Sequence, residues 1–295
     1  MPLCLLLALV SCNYPIVLHV NCGDYKGLIE AIEIANGTPT TLDTIELAKN
    51  CVYELDQIHN NTLGNNGLPP ITSPVLINGH GAVIMRSDKA VEEFRLFHVS
   101  SAGALSLKDI SLSNGLAADP DQIMAHNSGG AVFNMGKLNL SNSTIRHNSA
   151  HGEGGGIMNI GTMTIKSSSI LNNECYIDDE WATGGGAGIT NLGNAVITMS
   201  TISENGIIHG WDGIFNGNQG MMQIENSTIS GNGTNGIDNE GITKLYFVTL
   251  AYNYIGIGSF SGKVSMQNTL FGPNQYADCL GPKIYPVGAN MDTDG

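Results

Sequence analysis

The sequence predicts an all-β solenoid: a single-stranded, right-handed parallel β-helix with a short capping helix at its N-terminal end. Three features between Gly129 and Asn274 carry this reading. The first is a degenerate repeat: GGAVFNMGKLNLSNSTIRHN (129–148) returns as GGGIMNIGTMTIKSSSILNN (154–173) and again, with variation, to residue 274. Self-similarity with a period of about 20–50 residues marks a stacked architecture. The second is an alternating apolar pair in every repeat: Leu138/Leu140, Met163/Ile165, Ala195/Ile197, Met222/Ile224, Leu245/Phe247 and Val264/Met266. Alternation places one side chain in two on the inner face of a strand. A further apolar anchor follows each pair, at Ile145, Ile170, Ile202, Ile229, Leu250 and Leu270. The third is asparagine at a fixed phase: Asn148, Asn173, Asn205, Asn232, Asn253 and Asn274, with an earlier set at Asn134, Asn159, Asn191, Asn216 and Asn239.

Asparagine tolerates the left-handed backbone and bonds its own neighbourhood, so corners are expected at these positions. Stacked at one corner of successive coils, the amides would bond in a ladder. Repeats this short cannot hold a crossover helix, so each needs short parallel strands joined by tight corners. An antiparallel sandwich with strands every 8–12 residues is the competing pattern. Hairpins, however, have no need for asparagine at one phase of every coil.

The 295 residues read as one long domain because no linker interrupts the repeat. Charged residues are scarce at 13%, and 38 glycines fit tight corners. The formal charge is -14 with no basic run, which argues against nucleic acid and anionic membrane surfaces as partners. The cysteines are Cys4, Cys12, Cys22, Cys51, Cys175 and Cys279; none forms CxxC, which argues against a zinc site. In an exported chain Cys22 and Cys51 could bond across the first coil. Cys175 and Cys279 lie about four rungs apart, too far to bond at roughly 4.8 Å per rung.

Residues 1–21 form a lead-in. MPLCLLLALVSC (1–12) is too short to cross a bilayer. It resembles the end of a signal peptide, and Leu9-Val10-Ser11-Cys12 matches a lipobox in which Cys12 is lipidated. The β-helix domain is expected over 22–295. Its first element is a capping helix within 22–37, with Leu28, Ala31, Ile32 and Ala35 on one face. Asp24 suits its N-cap and Gly37 its end. An amphipathic helix laid over the open first coil is a common cover for a solenoid. Strands of the first full coils follow at Leu76–Gly79, Val83–Ile84, Leu105–Leu107 and Ile110–Leu112. Residues 57–68 and 116–128 read as loops.

CGDYKGLIEAIEIAN (22–36) resembles the CSLREAI motif of bacterial exported β-helix proteins of the choice-of-anchor Q type. Similar stretches follow at DTIELAKNCVYEL (43–55), NGLPPITSPVLINGHGAVIMR (66–86), FRLFHVSSAGALSLKDISLSNG (94–115) and in the NSTISGN repeat, so the resemblance covers nearly the whole chain from about residue 17. It implies a β-helix and export, a secreted or cell-surface location, and no particular activity. One departure is the Gly27-Leu28-Ile29-Glu30 core, which lacks the motif's Arg.

Function on such a scaffold is grafted on loops. Insertions at one phase of the coil carry Asp119, Asp121 and His126; His151 and Glu153; Asp178, Asp179, Glu180 and Trp181; and His209, Trp211 and Asp212. Equal phase places them on one edge. Both tryptophans lie there beside acids, the combination that sugar recognition uses. Trp181, Trp211, His151 and His209 are the candidate ligand-binding residues. Asp179, Glu180 and Asp212 are the candidates for catalysis, and Asp178, Asp179 and Glu180 are candidate ligands for calcium. Solvated loop residues of an acidic protein have the same composition. No Ser-His-Asp order, phosphate loop or HExxH motif is visible. Two functions follow. One is a non-enzymatic surface protein in adhesion or binding of an extracellular polysaccharide or cell-surface glycan. The other is a polysaccharide lyase or glycoside hydrolase on the same scaffold.

Overall fold

A computed structural model describes residues 14–119, 125–176 and 185–292. Cys12, Asp121, Asp178, Asp179, Glu180 and Trp181 lie outside the described residues. The chain is a right-handed parallel β-helix. Strand pairs with the strand one coil later, in parallel and in register: Leu138 with Met163, Met163 with Ala195, and Ala195 with Met222. A typical coil comprises Lys137–Ser141, Thr144–Arg146, the short Ser149–Ala150, and Ile157–Asn159 on the far side. The first two strands of each coil belong to a 19-stranded sheet, because Pro74–Arg86 and Ala104–Ser113 run unbroken through the corner between them. The far side is an 8-stranded sheet, and a 3-stranded sheet lies between.

The repeat's apolar positions form the core as buried columns. Leu140, Ile165, Ile197, Ile224, Leu245 and Met266 make one. Phe97, Val132, Ile157, Ile189, Ile214, Ile237 and Ile257 make another from the far sheet. Each such side chain contributes about 1.5–3 kcal/mol on burial.

Two expected core positions move. Phe247 is 59% exposed at a corner; Leu245 takes the place expected for it above Ile224, and Thr243 takes the place expected for Leu245 above Met222. Threonine is tolerated there because its hydroxyl donates to Asn239 Oδ1 at 2.7 Å and accepts from Asn216 Nδ2 at 3.1 Å. In the anchor column the last place belongs to Phe271, which pairs with Leu250, whereas Leu270 pairs with Thr249 and points outward. The spacing shows why. Ile145, Ile170, Ile202, Ile229 and Leu250 each lie three residues before a ladder asparagine, as Phe271 lies before Asn274.

The asparagines form two ladders. Asn148, Asn173, Asn205, Asn232, Asn253 and Asn274 are linked amide to amide at 3.0–3.3 Å. Asn134, Asn159, Asn191, Asn216 and Asn239 are linked at 2.6–2.9 Å. A third ladder, of hydroxyls, runs Ser143, Ser168, Ser200 and Ser227: the hydroxyls of Ser168, Ser200 and Ser227 each accept from the backbone N–H of the serine below at 3.1 Å. The ladder asparagines are not the left-handed residues. The positive φ falls one place earlier, at His147, Asn172, Glu204, Gly231 and Tyr252. That turn aims each amide inward. The repeat's Gly-rich start has a packing cause: a Cβ on Gly188 would stand 3.0 Å from the amide of Asn205 and 2.6 Å from Gly213 O.

The helix Tyr25–Asn36 covers the first coil with Leu28, Ala31, Ile32 and Ala35, and Asp24 caps it by accepting from Gly27 N at 2.9 Å. Gly37 ends it with φ -73°, so the left-handed C-cap is absent. The chain turns out through Thr38, whose N–H and hydroxyl both donate to Ala35 O. The stacked part begins before the helix, not at residue 22: Val17–Val20 pairs with Asp43–Leu47. Cys22 and Cys51 are disulfide-bonded with Cα atoms 5.3 Å apart. Residues 116–128 are not wholly loop, since Leu116–Ala117 pairs beneath Ser149–Ala150.

Candidate functional site

The corner after the ladder asparagine is where coils differ in length. Successive ladder asparagines are 25, 32, 27, 21 and 21 residues apart. In the described residues the surplus lies between that ladder and the 8-stranded sheet. Backbone bonds fix the stacking there. His151 N bonds Ala117 O at 2.9 Å, and Gly152 N bonds Asn127 O at 2.7 Å. One coil up, Tyr176 N bonds Ala150 O at 2.8 Å; beyond it, Gly206 N bonds Asn173 O at 2.9 Å and opens the 206–211 turn.

The edge brings His151 and His209 together through Tyr176, which sequence reasoning did not single out. The His151 and Tyr176 rings are 5.9 Å apart, and Tyr176 meets the His209 ring edge-on at 4.3 Å. Glu174, buried at the base, holds the turn: Oε1 accepts from Ile208 N at 3.2 Å and Oε2 lies 3.7 Å from His209 Nδ1. Trp211 is half-buried on the same turn, and its carbonyl accepts from Thr234 N of the next coil at 3.1 Å. A signal for Tyr176 existed in its position three residues after a ladder asparagine, the same offset as His151.

Asp212 differs from its expected loop placement. It opens the strand Asp212–Asn216, is buried, and accepts from Asn235 N of the next coil at 2.9 Å. This carboxylate is part of the coil-to-coil bonding. Burial, and then Asp238 on the next coil, push its pKa up to about 8. Asp238 itself rises to about 6 through burial and Glu240, and Glu153 to about 7 through burial and Glu240. Burial thus holds protons on these acids to higher pH than usual, most strongly at Asp212.

The described part of the first insertion, residues 116–119 and 125–128, packs on the lower coils. Arg95, fully buried, donates from Nη2 to the carbonyls of Ala125 and His126 and lies 4.8 Å over the Phe133 ring. His126 thereby serves this cover through its backbone, and Asp119 N donates to Asn127 Oδ1. Among the described residues no group of three or more His, Cys, Asp or Glu is placed to hold a metal ion.

No known protein family and no curated protein matches the sequence. Among solved structures the chain is similar to PfbA, a surface adhesin of Streptococcus pneumoniae. The TM-score is 0.54 over 88% of this chain and 79% of that one, at 9% identity. It is also similar to the pectate lyase Pel9A, with a TM-score of 0.53 over 94% and 80% at 13% identity. At these identities what the three chains share is the right-handed parallel β-helix.

Proposed function

We propose that this chain is an exported, cell-surface β-helix of the choice-of-anchor Q type that binds glycan without turning it over. The observation that carries the reading is the ring group at the edge: His151, Tyr176 and His209 in contact, with Trp211 on the same turn. Rings beside carboxylates give a sugar both an apolar surface and hydrogen-bond acceptors. Location outside the cell is supported by the Cys22–Cys51 bond, since such bonds persist in oxidising compartments. Lipidation at Cys12 would hold the protein to a membrane by its N-terminal end. Calcium held by Asp178, Asp179 and Glu180 would order the neighbouring turn, and Trp181 would add a further ring.

The test is glycan-array binding of the intact protein, wild type against Trp211→Ala and Trp181→Ala. Several-fold weaker binding by the variants supports the reading; equal binding refutes it. A second reading, cleavage of a polysaccharide, rests on carboxyls of unequal proton affinity on adjacent coils, Asp212 and Asp238. Turnover of polysaccharides with and without calcium, lost in Asp238→Asn, would establish it.

A further inference from the structure

The ring group does not stop at Trp211. Thr234 N bonds Trp211 O, Tyr254 N bonds Thr234 O at 3.0 Å, and Tyr276 N bonds Tyr254 O at 2.8 Å, so the same edge continues upward coil by coil. Tyr254 and Tyr276 are 43% and 64% exposed, and their rings lie 5.3 Å apart with planes 10° from parallel. Isolated exposed rings need no explanation, but rings that recur at one phase along an axis form a surface. His151, Tyr176, His209 with Trp211, then Tyr254 and Tyr276 span about five coil steps, or roughly 24 Å at about 4.8 Å per step. That rise is close to the advance per residue of an extended sugar chain.

Charge narrows the ligand. The edge segments 148–156, 173–176, 205–213, 232–236, 253–256 and 274–278 contain Glu153, Glu174, Asp212 and Asp278 and not one Lys or Arg. A polyuronate or sulfated chain lying here would find no cationic partner for its charges, a costly arrangement. An uncharged sugar meets rings and acceptors instead.

We propose that this edge is a linear track for an uncharged polysaccharide lying parallel to the solenoid axis, with Tyr254 and Tyr276 as its upper contacts. The proposal rests on the glycan-binding reading above and narrows it to a ligand class and a direction. Rings meet the sugar on every coil of the track but that of Asn232, which offers Thr234, so affinity grows with chain length until the track is filled.

Calorimetry on the intact protein tests it, with neutral β-linked oligosaccharides of two to eight sugars and polygalacturonate oligomers of matched length as probes. The expected result is binding of the neutral series that strengthens up to about five or six sugars, the number of coils on the track. The double variant Tyr254→Ala, Tyr276→Ala should weaken it about tenfold, as two ring contacts imply. Tyr276→Ala alone, at an exposed site, should weaken it several-fold with an unchanged melting curve. Phe260→Ala, exposed but off the track, should change nothing. Stronger binding of polygalacturonate, affinity independent of length, or full binding by the double variant would overturn the track while leaving glycan binding intact. If Trp211→Ala and wild type alike retain no glycan, the broader reading fails, and this one with it.

Discussion

Asn173 donates to a single oxygen, Oδ1 of Asn205, twice: from its side-chain Nδ2 at 3.0 Å and from its backbone N–H at 3.1 Å. Asn205 repeats the pattern toward Asn232. Each ladder asparagine thus closes the corner of its own coil and welds it to the next. Asn205 Nδ2 also donates to Ile170 O and Ser203 O at 3.0 Å.

Truncating Asn205 to Ala strands buried donors and acceptors on both neighbouring coils. The expected loss is on the order of 3 kcal/mol or more, since each orphaned buried group costs about 1–3 kcal/mol. Asn172→Ala, at the half-buried left-handed position beside the ladder, should cost about 1 kcal/mol. Urea unfolding of both variants measures the difference, and equal losses would show that the ladder is not the stabilising element.

Ile202 and Ile229 are neighbours in the anchor column, both fully buried. Either one changed to Ala should lose about 2–5 kcal/mol. The same change at Met199, half exposed at its corner, should lose under about 0.5 kcal/mol. Thermal melts of the three variants decide the matter.

The disulfide closes a loop of sequence separation 29 that contains the capping helix. Cys22→Ser with Cys51→Ser should lower stability by about 3–4 kcal/mol on the chain-entropy account. Amide hydrogen exchange should rise first in Tyr25–Asn36, and a uniform rise along the whole chain would contradict the assigned role of the bond.

Asp212 carries a prediction about pH. Its pKa is about 8 in the folded chain, against an ordinary value of 3.8. Folding therefore retains a proton that the unfolded chain gives up. Stability tied to this group is flat below pH 4 and falls as the pH climbs toward 8. Asp238 and Glu153 are shifted in the same sense over narrower ranges. Asp212→Asn keeps an oxygen for Asn235 N and has no proton to lose. Its urea midpoint should match wild type near pH 4 and exceed it near pH 9. A lower midpoint at pH 9 would contradict the protonated state.

The architecture was legible because its causes are periodic. Leu138 and Leu140 alternate, Ile145 follows, Asn148 closes the corner, and every coil must repeat the pattern to bury its inner face. Departures arose where a local interaction replaced the pattern. Thr243 reads as polar until its bonds to Asn216 and Asn239 are known, and Leu270 and Phe271 differ only in distance from Asn274. The edge was legible in outline through the shared phase of His151 and His209. Tyr254 and Tyr276 were hidden because their coils carry no insertion, so irregular length, the signal that marked the other sites, was absent there. Asp212 deceived for the opposite reason: it ends an insertion but already lies in the strand.

The staple at Cys22–Cys51 also gives the rod a mechanical polarity. Strands run across the axis, so tension applied along it loads the bonds of one coil at a time, like a thread drawn from a spool. Among the described residues no disulfide resists that unwinding through the upper coils, where strand pairing, ladders and apolar columns hold. At Cys51 the thread meets a closed ring that pulling cannot open. A protein tethered by its N-terminal end would therefore lengthen under load by shedding upper coils while its root stays folded, and would rewind on release from the coil that remained.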